Sequence, residues 1–93
     1  MQDDGVLLEL HLRGELDMAA VPQVEQVVAR LPPGRDGVVV DLAELEFLDS
    51  TGLRLLLTLQ RRQDGTPVTF TAPGARVGPV LDISGVRRLL RWR

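Results

Sequence analysis

The 93-residue sequence has no cysteine and no lysine, a single histidine, and only three aromatic residues, Phe47, Phe70 and Trp92. Without cysteine, disulfides and thiolate metal sites are excluded. With His11 the only imidazole, the usual intrachain zinc constellations are excluded as well. All 11 basic residues are arginine, a compositional bias to which no function attaches. The formal net charge of −2 gives no general reason to expect nucleic-acid binding. No apolar run approaches the ~18 residues of a membrane span. The acidic start, Met1-Gln2-Asp3-Asp4, has the wrong sign for a secretory signal peptide. The expectation is a soluble cytoplasmic protein with no cofactor, no nucleic-acid partner and no membrane partner.

What is present is apolar residue in quantity. Hydrophobic side chains make up 44% of the chain, enough for a core, and the length fits one domain over residues 1–93. A domain this small must place most of its apolar residues inside. With so few aromatics, that core is built from leucine and valine. From Val6 to Arg13 the chain alternates, with Leu8, Leu10 and Leu12 against Glu9, His11 and Arg13, as in a half-buried strand. Gly14 is expected to end it. From Ala19 to Leu31 the period changes: Val24, Val27, Val28 and Leu31 mark one helical face. Pro22 is tolerable only in the first turn, and Pro32-Pro33-Gly34 stops the helix. Gly37 to Leu42 is a continuous apolar run, which reads as a central parallel strand covered on both faces. Ala43 to Leu48 reads as a connection. A second helix is expected from Ser50 to Gln63, a turn at Asp64-Gly65, and a strand from Val68 to Thr71. A short helix follows from Val77 to Ile83, ended by Gly85. Leu89 to Trp92 reads as a last strand or a helical turn. This alternation predicts an α/β fold with a mainly parallel sheet and right-handed crossovers.

The segment Asp49-Ser50-Thr51-Gly52 falls between a buried strand and an amphipathic helix. In open α/β sheets, functional groups collect at the carboxyl ends of strands, where such turns project. The plain reading is a helix cap made by Asp49 or Ser50. Two details stand against a cap alone. The Glu that would complete a capping box is missing. Gly52 sits in the first turn, where it costs up to ~1 kcal/mol relative to alanine; something must come close to the backbone there. A hydroxyl at a helix N-terminus is well placed to carry phosphate, although Asp49 would repel it. On the helix itself, Leu53, Leu55, Leu56, Leu57 and Leu59 spread over roughly 200°, against the ~100° stripe of a surface helix. Either core covers Leu55 and Leu59 from a second side, or Leu55 belongs to a partner surface.

Gly14-Glu15-Leu16-Asp17 after the first strand and Asp49-Ser50-Thr51-Gly52-Leu53 after the Val38–Asp41 strand together resemble the STAS domain family, and most fully the bacterial anti-sigma factor antagonists. The resemblance runs from about Val6 to Trp92. It implies a sheet of about four strands with helices packed on it. It also implies phosphorylation of Ser50, with Thr51 as second-choice acceptor, by a serine kinase that doubles as an anti-sigma factor. A phosphatase would restore the unmodified form. Asp17, Asp49, Thr51 and Gly52 match the partner-binding surface, and Leu55 joins them from the helix pattern. Family members usually carry an extra strand before Val6 and a final helix after Trp92. The edge strand and C-terminal helix are therefore expected to be shortened, leaving a bare sheet edge that could pair in a homodimer.

The remaining candidates are weaker. Arg87, Arg88, Arg91 and Arg93 read as a solvated face with arginine stems lying over apolar surface; without interleaved aromatics other than Trp92, nucleic-acid binding is disfavoured. Asp41, Glu44 and Glu46 read as strand-end and loop charges. A hydrolase using Ser50 would need His11 as its base. An unmodified STAS subunit in a larger lipid-transport or stress-signalling assembly is the alternative to the phosphorylated switch.

Overall fold

The first strand, β1, runs from Leu7 to Leu16, with Leu12 and Leu16 buried and Glu9, His11, Arg13 and Glu15 exposed. It passes straight through Gly14, which adopts a positive φ of 73° inside the strand. Gly14 therefore bends β1 rather than ending it. The computed structural model describes residues 7–31, 36–61 and 66–93. Val6, the stop at Pro32-Pro33-Gly34, the end of the second helix at Arg62 and Gln63, and the turn at Asp64-Gly65 lie outside the described residues.

Helix α1 spans Val21–Ala29, with Pro22 in its first turn, where the missing N–H costs nothing. Strand β2 spans Gly37–Leu48, twice the length expected. Helix α2 spans Ser50–Gln60, and strand β3 is Val68–Phe70. Helix α3 spans Gly78–Ser84, closed by Gly85 in the left-handed region. A 3-10 turn over Val86–Leu89 follows, and Trp92 then bridges Phe70 in parallel. The fourth strand is thus a single bridge, held by Phe70 N–H donating to Arg91 O and Arg93 N–H donating to Phe70 O, both at 2.8 Å.

The second half of β2 was hidden from the sequence because its buried residues, Leu42, Leu45 and Leu48, recur every third position. A strand buries every second. The register explains the difference. His11 pairs with Asp41 but Arg13 with Glu44, and Gly14 pairs with Leu45 but Glu15 with Phe47. At each step β2 carries one extra residue, a β-bulge, which turns the next leucine back to the core. Asp41, expected at a strand end, holds the first bulge from mid-strand: its Oδ1 accepts from Ala43 N–H at 2.9 Å and from the Thr71 hydroxyl at 3.1 Å.

The sheet order is β1-β2-β3 and every pairing is parallel. Strands added in sequence on one side, through right-handed crossovers, place their helices on one face. That face carries Leu8, Leu10, Leu12, Val38, Val40, Leu42, Val68 and Phe70, packed with Leu55, Leu56, Leu59, Val77 and Leu81 in one cluster. The opposite face carries Glu9, His11, Asp41 and Thr69 around Val39, among the described residues the one buried aliphatic side chain outside that cluster. β2 is buried on both faces over Val38–Val40, as expected; among the described residues, the helices of the cluster pack on the Val38 and Val40 face.

Candidate functional site

β1 and β2 end together. Leu16 pairs in register with Leu48, so Asp17 and Asp49 leave neighbouring strands at the same end of the sheet. The Asp49 N–H donates to Leu16 O at 3.4 Å, joining the two exits. Two motifs more than thirty residues apart in sequence thus become one surface.

Each aspartate organises the turn after it. Asp17 Oδ1 accepts from the N–H groups of Ala19 and Ala20 at 3.1 and 3.0 Å, and its carbonyl accepts from Val21 N–H at 3.0 Å. This turn launches α1. Asp49 is the N-cap of α2, and its Oδ1 accepts from Thr51 N–H and Gly52 N–H, both at 3.0 Å. The same oxygen accepts from the Thr51 hydroxyl at 2.5 Å. The Thr51 hydroxyl, then the Gly52 amide, hold the Asp49 carboxyl below its ordinary pKa, with the Thr51 and Met18 amides adding to them. Stabilisation of the charged form by several donors is the cause.

Ser50, the first residue of α2, is exposed. Asp49 does the capping, so the Ser50 hydroxyl is left to solvent, while the Thr51 hydroxyl is spent on Asp49. The cap and the candidate acceptor are therefore adjacent, separate residues, which the sequence pattern could not separate. Gly52 is buried, and a Cβ there would stand 2.4 Å from Leu16 O and 2.6 Å from Leu48 Cδ1. What comes close to this glycine is the end of β1 in the same chain, so Gly52 sets the spacing beneath the site and presents no side chain to a partner. Leu55 is only 3% exposed. It packs in the core on the stripe of Gly52, Leu56 and Leu59, and of the expected partner surface it supplies only part of the lining of the groove between α1 and α2.

The sequence missed Met18, which is 73% exposed. It lies beside Asp49 and heads an open groove of about 310 Å³ between α1 and α2, lined also by Val21, Pro22, Glu25, Thr51, Arg54, Leu55 and Thr58. A lone methionine after a motif aspartate carries no periodic signal, so only the fold reveals it. Asp17, Ser50, Thr51 and Met18 thus share one edge of the molecule, with an apolar groove running away from it.

The other candidates lie elsewhere. His11 is on the open sheet face, its Nε2 3.2 Å from Glu9 Oε1 and its Nδ1 3.2 Å from Asp41 Oδ2. It is five residues up β1 from Leu16, roughly 16 Å at the usual strand rise, which places it out of reach of Ser50 as a general base. Arg87 pairs with Asp82 and lies over the Trp92 ring, 5.5 Å from its centroid. The Trp92 indole N–H donates to Arg87 O at 2.8 Å. This arginine fastens the C-terminal segment. Among the described residues, no group of three His, Asp or Glu side chains is placed to hold a metal ion, and no helix is long and apolar enough to cross a membrane.

The family model described as "Mlab, STAS domain" matches residues 2–91. This chain belongs to the STAS domain family. An anti-sigma-B factor antagonist of Staphylococcus epidermidis is 34% identical over 85 residues, covering 88% of this STAS chain and 79% of the relative. The anti-sigma-B factor antagonist of Staphylococcus aureus is 32% identical over 87 residues with the same coverage. Among solved structures, the anti-sigma factor antagonist SpoIIAA in its unphosphorylated form superposes with a TM-score of 0.70 at 23% identity, covering 92% of this chain and 78% of that one. The STAS domain of a SulP transporter from Vibrio cholerae gives 0.68 at 23% identity, covering 90% and 67%. The fold is therefore that of STAS domains, and the sequence relatives are named as regulators rather than enzymes.

Proposed function

We propose that this STAS domain is an anti-sigma factor antagonist that binds a serine kinase acting as anti-sigma factor, and that phosphorylation of Ser50 ends the binding. The observation that carries this reading is the free hydroxyl of Ser50 at the first position of α2, beside the Asp17 turn and the exposed Met18. The sequence relatives named as anti-sigma-B factor antagonists support it. Asp17 and Met18 flank the contact, Thr51 and Asp49 hold its shape, and Gly52 sets the floor. A phosphate brings about −1.5 to −2 charges at neutral pH. Next to Asp49 in the chain and at the end of the sheet that also carries Asp17, it would turn a mixed surface strongly anionic, and like charge facing like charge is costly across an interface. A phosphatase returns the site to its binding form, and the natural setting is the cytoplasm.

Incubation with a candidate serine kinase and ATP, followed by mass spectrometry, is expected to place one phosphate on Ser50. Phosphate on neither Ser50 nor Thr51 overturns the switch. Ser50→Asp is expected to weaken binding to that kinase about tenfold or more, which corresponds to ~1.4 kcal/mol, whereas Ser50→Ala keeps the affinity. A second reading is an unmodified subunit that binds constitutively; the matching family model is described as "Mlab, STAS domain" and not as an antagonist. It expects equal partner affinity for Ser50→Ala, Ser50→Asp and the native chain.

A further inference from the structure

β1 is the edge of the sheet: among the described residues it pairs only with β2. Which of its backbone groups face outward follows from the neighbouring bonds. Val38 N–H donates to Pro67 O at 2.9 Å and Val40 O accepts from Thr71 N–H at 3.0 Å, so both point to β3. Val39 and Asp41 then point to β1. In a parallel ladder, the register partner of an inward-pointing residue points away. Those partners are Glu9 and His11. From the other end, Leu16 O turns toward β2 to meet Asp49 N–H, which gives the same parity. Glu9, His11 and Arg13 therefore offer their N–H and C=O groups to whatever lies outside. Unpaired groups of this kind are a template for another strand.

We infer that this edge pairs with β1 of a second copy, antiparallel and two-fold symmetric about His11. The side chains select that register. Centred on His11, Glu9 of each copy faces Arg13 of the other, and opposite charges across a strand pair are stabilising; Arg13 Nε, 2.8 Å from Glu44 Oε1 of its own chain, keeps its remaining guanidinium N–H groups for that contact. Moving the centre to Leu12 sets Glu9 against Glu15, and moving it to Leu10 leaves Arg13 against Leu7. The register about His11 also makes 9 to 13, 11 to 11 and 13 to 9 the hydrogen-bonded pairs, with about six bonds at two per pair. Gly14, with its positive φ, limits the pairing at Arg13.

Helix α1 supplies the second argument. None of its residues is buried, Val24 is half-covered, and Val27 is 48% exposed. Gln23, Val24 and Val27 form the wall of an open groove of about 300 Å³ along Leu10, Leu12 and Leu16 of β1. A two-fold axis normal to the sheet keeps the helices of both copies on one face, so the second copy brings its α1 toward this groove. The dimer joins two sheets into one and sends the two Ser50 sites to opposite ends. It does not depend on whether Ser50 is phosphorylated.

Sedimentation velocity over tens to hundreds of micromolar is expected to show a dimer. Arg13→Glu alone and Glu9→Arg alone each set like charges across both contacts, and each is expected to weaken the dimer about tenfold or more. Glu9→Arg with Arg13→Glu restores it. Both sites are exposed, and far-UV circular dichroism checks that each variant is folded. Hydrogen exchange at the Glu9, His11 and Arg13 amides is expected to slow as concentration rises. A native chain that stays monomeric, single reversals that leave the dimer intact, or a double reversal that fails to restore it overturns the proposal. Protection of those amides in a monomer also overturns it, since the chain's own N-terminal residues would then be covering the edge.

Discussion

At Gly52 two opposing effects can be weighed. Alanine is the better helix former by up to ~1 kcal/mol. Its methyl group, however, meets Leu16 O and Leu48 Cδ1 inside contact distance, and backbone cannot swing away as a side-chain tip can. Overpacking of this kind costs about 1–3 kcal/mol, so Gly52→Ala is expected to lower stability in a urea titration, and to shift the turn that carries Ser50. The aspartates give a pH dependence. Asp49 is held low chiefly by the Thr51 hydroxyl, and Asp41 chiefly by the Ala43 amide, then by the Thr71 hydroxyl, with His11 and Arg13 adding to it. Both carboxyls lie below the ~3.9 of an unfolded aspartate. Between the two values the unfolded chain holds more protons, so stability rises with pH there. Their contribution is complete above about pH 4 and is lost as the pH falls through the folded values. Thermal melts of Asp49→Asn are expected to show a flatter acid limb than the native chain. Single residues were the least legible part of the site. Ser50, Asp49 and Thr51 share one motif, and only their hydrogen bonds assign the cap to Asp49 and leave the hydroxyl of Ser50 open. Leu55 looked like spare surface because a wide apolar arc does not say how many neighbours a helix has.

Among the elements, those with a clean period were legible. β1 alternates, α1 and α2 repeat every three or four residues, and the order strand, helix, strand follows. The half of β2 after Leu42 was not legible, because two bulges replace the period of two with a period of three. The edge strand after the 3-10 turn was ambiguous for a different reason. Its backbone is fixed by a distant side chain: Gln60 Nε2 donates to Leu89 O at 2.7 Å, and Gln60 Oε1 accepts from Arg91 N–H at 2.5 Å. This one amide satisfies a donor and an acceptor on the strand's free side, as a further strand would. Gln60→Leu is expected to loosen that segment. The Phe70 and Arg93 amides should then exchange several-fold faster, with those of β1 and β2 unchanged. Equal exchange across the sheet would show that Trp92, not Gln60, anchors the segment.

On the scale of the molecule, stability rests on one face of one sheet. Leu56 is fully buried in that cluster, and Leu56→Ala is expected to cost about 2–5 kcal/mol by the usual cavity penalty. Val39→Thr, on the open face between Glu9 and Thr69, gains a hydroxyl with polar neighbours and leaves no cavity, so it is expected to cost less than Leu56→Ala. A urea midpoint for each variant checks the contrast, and similar losses would mean that the polar face is as tightly packed as the core. The pairing of the two motifs was legible at this scale because strand topology, rather than packing detail, brings Asp17 to Asp49. The cap on α2 has one more consequence. The donors that could seat an anion at that helix end, the Thr51 and Gly52 amides, are already occupied by Asp49. A phosphate placed on Ser50 would therefore meet the Asp49 carboxylate rather than those two amides, and like charge repels there. On the function proposed above, such a mark is addressed to a second protein rather than held by the domain's own backbone.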